Sequence, residues 1–258
     1  MRFRARGARR ALVASALLAL TALTVVAGGS AARTPEASGT EGIIDAQWTP
    51  GSLRDAKTTV VVELAGKPVL YHTIAAFINA YADMQVVLVV PEAHMAPAQQ
   101  VLNSFSAPPP VTLVKGGETR FHSVQNGLQQ VPDNAVVFVH DGVRPLLTTA
   151  LVHHCYEQTL LHGNAIPVID MKDSVRETNA AGNRAVNREQ FKIIQTPQTF
   201  LSEQLLPAFA LPYDPLFTDE ATVVEKLGYP IHLVPGEERN IKITRPLDLV
   251  IAEALLRQ

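Results

Sequence analysis

Three stretches concentrate the residue types that handle anions and metal ions. Gly116-Gly117-Glu118-Thr119-Arg120-Phe121-His122-Ser123 sets two glycines ahead of a helical pattern, so backbone can approach a ligand closely and a helix start can offer N–H groups. The plainer reading of the same letters is a turn with capping residues. His140-Asp141-Gly142-Val143-Arg144-Pro145 puts a carboxylate and a guanidinium three positions apart. Asp141 there can hold Mg²⁺ against phosphate oxygens and Arg144 can clamp another phosphate, or the two can simply form a local ion pair. Asp170-Met171-Lys172-Asp173-Ser174-Val175-Arg176 is charged and carries no helical period. Further on, Asn187-Arg188 and Gln195-Thr196-Pro197-Gln198 bracket the run 191–194, and Thr218-Asp219-Glu220-Ala221 opens a helix with Thr218 as the expected cap. Asn240-Ile241-Lys242-Ile243-Thr244-Arg245-Pro246 sets Lys242 on a short strand beside Arg245.

These clusters need elements to bring them together. Apolar, β-branched runs at 58–64, 85–90, 111–114, 135–139 and 165–169 alternate with helical periodicity at about 69–81, 96–105, 121–130 and 148–161, the pattern of an α/β protein with a mainly parallel sheet. Val86 to Val90 and Ala135 to Val139 are apolar almost throughout, which requires helices on both faces of the sheet. Pro68 is expected in the first turn of its helix. In such sheets ligands bind at the carboxyl ends of strands, and the first three clusters fall there.

The chain of 258 residues, 47% hydrophobic and 18% charged, can bury one sizeable core. Its formal net charge of -2 supplies no basic field for a nucleic-acid backbone. Cys155 is the one cysteine, so no internal disulfide forms and a buried structural thiol is expected.

Residues 1–33 read differently. Arg2, Arg4, Arg6, Arg9 and Arg10 precede an apolar run from Ala11 to Ala27 that ends in small residues, the grammar of a secretory signal with a linker over 34–57 after it. The run is marginal for a membrane span, and stable membrane insertion is not expected. The same letters allow a second reading, in which Ala22 to Ala27 form a first strand and Gly28, Gly29 and Ser30 start a phosphate-cradling loop ending at Arg33.

From Gly66-Lys67-Pro68 to the Asn240–Pro246 segment the ordered set of motifs resembles the 2-C-methyl-D-erythritol 4-phosphate cytidylyltransferases. The resemblance implies a Rossmann-like α/β domain over 58–258 with a projecting β-arm at about 170–195, and transfer of CMP from CTP to a sugar-alcohol phosphate with release of pyrophosphate. It implies a cytosine pocket of Gly117, Glu118 and Ser123, Mg²⁺ on Asp141, and Arg144, Ser174, Arg188, Thr196 and Lys242 around the acceptor phosphate. Arg188 would reach across a homodimer formed through the arm, and Asp219 would support the site from behind. Gly28, Gly29, Ser30 and Arg33 would match the family's phosphate loop, with Ala31 where a glycine is expected. No Pro-Lys-Gln follows it, and Lys57 is the nearest stand-in for that lysine. The alternatives left open are a pentitol-phosphate cytidylyltransferase and a catalytically impaired nucleotide-binding homologue. A cytoplasmic location follows from the intracellular substrate, and export from the signal reading.

Overall fold

The computed structural model describes residues 23–26, 40–45 and 62–257. In chain order its elements are β1 (Leu23–Val26), β2 (Thr40–Asp45), β3 (Glu63–Leu64), β4 (Lys67–Pro68), α1 (Val69–Ile78), β5 (Gln85–Val90), α2 (Met95–Asn103), β6 (Val111–Lys115), α3 (Arg120–Leu128) and β7 (Val136–Asp141). There follow α4 (Thr149–His162), β8 (Asn164–Asp170), β9 (Arg176–Asn179), β10 (Gly182–Ala185), β11 (Lys192–Ile194), β12 (Gln198–Leu201), α5 (Ser202–Phe209), α6 (Glu220–Lys226), β13 (Leu233–Pro235) and α7 (Pro246–Leu256).

The main sheet runs β11-β8-β12-β7-β1-β2-β5-β6, with β13 added along β8. β7, β2, β5 and β6 are parallel to one another, as the alternating sequence pattern requires. β12 enters antiparallel between β7 and β8; its four residues are too few to show a period beside the Thr-Pro-Gln motif. β1 is antiparallel to β5, with Val26 opposite Gln85, and its first residue faces His140. It therefore starts beside the tip of β7 and runs away from it, whereas a strand delivering a loop to that tip would run parallel to β5. Gly28, Gly29, Ser30, Arg33 and Lys57 lie outside the described residues, as do the first residues of the strand expected at 58–64.

The strict alternation along β5 divides its side chains between two cores. Val86, Leu88 and Val90 pack with Phe138 under α1, α2 and α4. Val87 and Val89 pack with Val137, Val139 and Phe200 under α3, α5 and α6. Period-two side chains on a strand buried on both sides make this a three-layer arrangement. Cys155 lies in the first core with its thiol pushed by burial up to about 12, which makes it a packing residue.

Local chemistry fixes several boundaries. The β3–β4 hairpin turns through Ala65 and Gly66, both at positive φ (49° and 79°), the type I′ geometry that suits two-residue hairpins. That hairpin absorbs Pro68, which becomes the residue preceding α1 rather than part of its first turn. Helix α6 is capped by Asp219, whose carboxylate accepts from the Thr222 N–H at 2.9 Å, and not by Thr218. β9 and β10 pair only with each other, and all eight of their residues are exposed. They project between β8 and β11, where the sequence predicts the arm.

Phe138 is fully buried at the centre of the first core, edge-on to Phe77 with ring centroids 5.9 Å apart. Phe138→Ala is expected to lower stability by about 3–5 kcal/mol through lost burial and the cavity left behind. Urea unfolding monitored by circular dichroism measures this; a loss under about 1 kcal/mol would mean that the site collapses freely and the core is not close-packed there.

Candidate active site

Strand β7 ends in His140 and Asp141, and both are buried. The turn that follows is tied down from α1, where the Thr73 hydroxyl donates to the Gly142 carbonyl at 2.9 Å. Arg144 folds back so that its Nε donates to Asp141 Oδ2 at 2.9 Å, and its Nη1 donates to the Asn240 carbonyl at 2.7 Å. The local ion pair foreseen as the plainer alternative is thus present, and it also anchors the distant loop that carries Lys242.

Two interactions set Lys242 at this point. The Ile243 N–H donates to the Val143 carbonyl at 2.9 Å, and the Ile243 side chain is buried in a third cluster with Leu64, Val69, Leu146 and Ala252. Lys242 Nζ then lies 3.2 Å from Asp141 Oδ2, with 36% of its side chain exposed. Burial by itself would raise the Asp141 pKa, but Lys242, Arg144 and Arg120 together hold it well below the usual carboxylate range. The group is a fixed anion flanked by cations.

β12 supplies the opposite wall. Its register with β7 pairs Gln198 with Val139 and, continued, sets Thr196 beside Asp141. The Asp141 N–H donates to Thr196 Oγ1 at 3.0 Å, and the Thr196 carbonyl accepts from Asn240 Nδ2 at 2.8 Å. Gln198 bridges to α6, donating to Asp219 Oδ2 at 2.9 Å and accepting from the Ala221 N–H at 2.8 Å. Asp219 therefore supports the site through Gln198 and the helix start. Around the Asp141 carboxylate, Arg120, Arg144, Thr196, Gln198, Asp219 and Lys242 line an open cavity of about 180 Å³.

The glycine segment leads into α3, whose first residue, Arg120, is part of that lining. A Cβ on Gly117 would fall 2.5 Å from the His122 Cβ and 2.9 Å from its carbonyl carbon, so no other residue fits. Ser123 is fully buried; its hydroxyl accepts from the Gly117 N–H at 3.0 Å and donates to the Thr119 carbonyl at 2.9 Å. With both bonds turned inward, Ser123 holds the loop shape from beneath, while Glu118 is exposed. Thr119 caps α3.

Of the residues singled out in the sequence, Asp141, Arg144, Thr196, Asp219 and Lys242 meet at one cavity. Ser174 and Arg188 are exposed on the arm and are not among its lining residues. Arg188 instead donates to the Lys172 carbonyl and lines a second depression with Asp170, Lys172 and Lys192.

Nothing in the linear pattern pointed to the Arg120–Glu220 pair. Glu220 is fully buried, its pKa pushed up by that burial against the pull of Arg120, which grips it with both terminal nitrogens, one at 2.7 Å. A carboxylate in a first helical turn ordinarily reads as a solvated end group; here it joins α3 to α6 from a hundred positions away. His140 was likewise visible only as part of a motif. It is fully buried and edge-on to Phe77, and burial drives its pKa down to about 3.

The His140 shift makes stability depend on pH. The unfolded chain binds a proton on this imidazole near 6.5, while the folded chain refuses it until about pH 3. The unfolded state therefore holds more protons in between, and stability rises with pH there. The His140 contribution is complete above about pH 6.5 and is lost on acidification at up to about 1.4 kcal/mol per pH unit. Asp141, whose pKa is depressed, adds stability that is present above about pH 4 and lost below it. Urea unfolding across pH 6.5 to 4.5 should show the His140 slope, and His140→Asn should reduce it by about one proton; an unchanged slope would place the acid sensitivity elsewhere.

Comparison with known proteins identifies the family. The family model for 2-C-methyl-D-erythritol 4-phosphate cytidylyltransferase (IspD) matches residues 51–258. The enzyme of that name from Bacteroides thetaiotaomicron is 44% identical over 193 residues, covering 75% of this chain and 88% of the relative. That of Porphyromonas gingivalis is 44% identical over 194 residues, covering 75% and 86%. Among solved structures, the cytidylyltransferase of that name from Thermus thermophilus superposes with a TM-score of 0.63 at 32% identity, over 78% of this chain and 94% of that one. A 4-diphosphocytidyl-2C-methyl-D-erythritol synthase gives 0.67 at 30% identity, over 77% and 94%. A buried acid at the tip of β7, a lysine brought to it from beyond β13, and likeness over three quarters of the sequence lead to one assignment: the chain belongs to the 2-C-methyl-D-erythritol 4-phosphate cytidylyltransferase family.

Proposed function

We propose that the protein transfers CMP from CTP to 2-C-methyl-D-erythritol 4-phosphate and releases pyrophosphate. The observation that carries the reading is the Asp141 carboxylate, kept ionised in a buried position by Lys242 and Arg144 in the wall of a cavity that Arg120, at the start of α3, also lines. In this reaction a phosphate oxygen of the acceptor attacks the α-phosphorus of CTP in line, and pyrophosphate departs. No protein nucleophile is required, so the protein contributes position and compensating charge.

The geometry supports a role for each residue. Lys242 is the partly exposed cation of the cluster, able to turn from Asp141 towards phosphate oxygens. Arg144 is held by Asp141 and the Asn240 carbonyl, so its charge acts from a fixed place. Gly117 and Glu118 border the base, with Ser123 keeping the loop in shape. Asp141 fits the requirement for Mg²⁺: it is an ionised oxygen donor at a strand tip, and Mg²⁺ commonly takes one or two carboxylates with the rest of its shell from phosphates and water. Bound there, Mg²⁺ would add charge against the phosphate oxygens. Arg33 and Lys57 lie outside the described residues, and the reading stands on the cluster around Asp141.

The arm offers a place for a second copy. Phe191, Ile193 and Ile194 are exposed apolar residues at its base, which supports a homodimer that would carry Ser174 and Arg188 to the partner's cavity. Among the described residues no helix is long and apolar enough to cross a membrane, and a substrate made inside the cell supports a cytoplasmic location. A second reading, a nucleotide-binding homologue with impaired catalysis, draws on the direction of β1, which starts at His140 and leads away from the cavity.

Incubating the protein with CTP, Mg²⁺ and 2-C-methyl-D-erythritol 4-phosphate should release pyrophosphate, and competition with a pentitol phosphate separates the two acceptor classes. Tight CTP binding by calorimetry without turnover would favour the impaired homologue; neither binding nor turnover would reject the assignment. Lys242→Gln is expected to lower kcat by about a hundredfold with the fold intact, the typical effect of losing one preorganised charge. Asp141→Asn should cost at least as much, and also lower stability by about 3–5 kcal/mol because Arg144 is left buried without its partner. An Asp141→Asn enzyme with normal kcat would remove the acid from the mechanism.

A further inference from the structure

The His140 ring makes two hydrogen bonds, and together they determine which way a hydroxyl in the cavity points. Its Nε2 lies 3.2 Å from the Arg144 carbonyl oxygen, which can only accept, so Nε2 carries a proton. The ring is fully buried against Phe77, where an imidazole is neutral, and Nδ1 is therefore bare. Thr196 Oγ1 lies 3.0 Å from Nδ1 and must donate to it. The same oxygen accepts from the Asp141 N–H at 3.0 Å. A threonine hydroxyl has one proton and two lone pairs. Its proton and one lone pair are spent inside the protein, leaving a single lone pair on a residue that lines the cavity with Asp141 and Lys242.

We propose that His140 is a positioning residue that makes Thr196 an acceptor-only group, so that Thr196 takes a hydrogen bond from an alcohol O–H of the phosphorylated polyol and makes none to its phosphate. The inference rests on the reading of this cavity as the acceptor-substrate site. A hydroxyl free to rotate would serve an alcohol or a phosphate oxygen alike. One whose proton is locked onto a buried imidazole presents only electron pairs, which a phosphate dianion repels and an alcohol can satisfy. Discrimination of this kind comes from leaving the wrong partner unpaired.

Two substitutions separate this role from simple support of the loop. His140→Gln can bring an amide N–H to the place of Nε2, keeping the bond to the Arg144 carbonyl, but offers no acceptor where Nδ1 was. His140→Asn sets Oδ1 near the Nδ1 position and gives up the bond to Arg144. With folding checked by circular dichroism, His140→Gln should raise KM for the polyol phosphate by about tenfold while KM for CTP stays unchanged, because accepting from the alcohol then leaves the Thr196 proton unpaired. His140→Asn should return close to wild type. The reverse order, equal impairment of both, or no effect from either would overturn the proposal.

Nitrogen NMR of the wild-type protein tests the same claim without turnover. His140 should show a protonated Nε2 and a bare Nδ1, with the Nδ1 resonance moving in Thr196→Val. A protonated Nδ1 would overturn the proposal. If the wild type turns over none of the acceptors, the proposed function fails, while the nitrogen spectra still judge how Thr196 is oriented.

Discussion

The site depends on keeping one carboxylate charged where water is scarce. Asp141 sits at the end of a strand buried on both faces, and burial favours its neutral form. The cations that reverse this come from three places in the chain: Arg144 on the turn just after it, Arg120 at the start of α3, and Lys242 beyond β13. No two of those three belong to one element. Their convergence requires the sheet, α3 and the C-terminal loop to be in place together, so the charge state of Asp141 and the tertiary fold are coupled.

Polar side chains do much of the joining. Asn240, Arg144, Thr196 and Asp141 form a chain of bonds in which each loop is held by a side chain from another: Asn240 to the Thr196 carbonyl, Arg144 to the Asn240 carbonyl, the Thr196 hydroxyl to the Asp141 N–H. The Arg120–Glu220 pair does the same on the other side, between α3 and α6. Buried networks of this sort are expensive when half satisfied and specify one arrangement when complete. β12 is the element that makes the arrangement possible, because its antiparallel entry beside β7 brings Thr196 level with Asp141.

The same contrast explains which features could be read in advance. Four of the five apolar runs became β5, β6, β7 and β8, and the helical periods became α1 to α4, within a few residues, because both periods are local consequences of which face is buried; the described end of the run at 58–64 is the short hairpin strand β3, outside the main sheet. Gly117 was legible as a close approach, and the contact with His122 is its cause. β12 was not, being a short strand determined by the gap it fills. The α6 cap moved from Thr218 to Asp219, since both are good capping residues and only backbone position chooses between them. Glu220 looked like a solvated helix end and is instead a fully buried partner of Arg120.

By itself, the sequence determined the α/β layering, the strand ends that carry polar clusters, and the ordered motifs that mark the family, because periodicity and glycine requirements act over a few residues. The tertiary structure alone decided that Lys242 meets Asp141, that Ser123 turns its hydroxyl inward, that Ser174 and Arg188 stand on an exposed arm, and that the His140 ring meets the Thr196 hydroxyl. Two of those outcomes, the meetings of Lys242 with Asp141 and of His140 with Thr196, join residues roughly fifty to a hundred positions apart, and the entropy cost of closing such loops is offset only once the cores have formed.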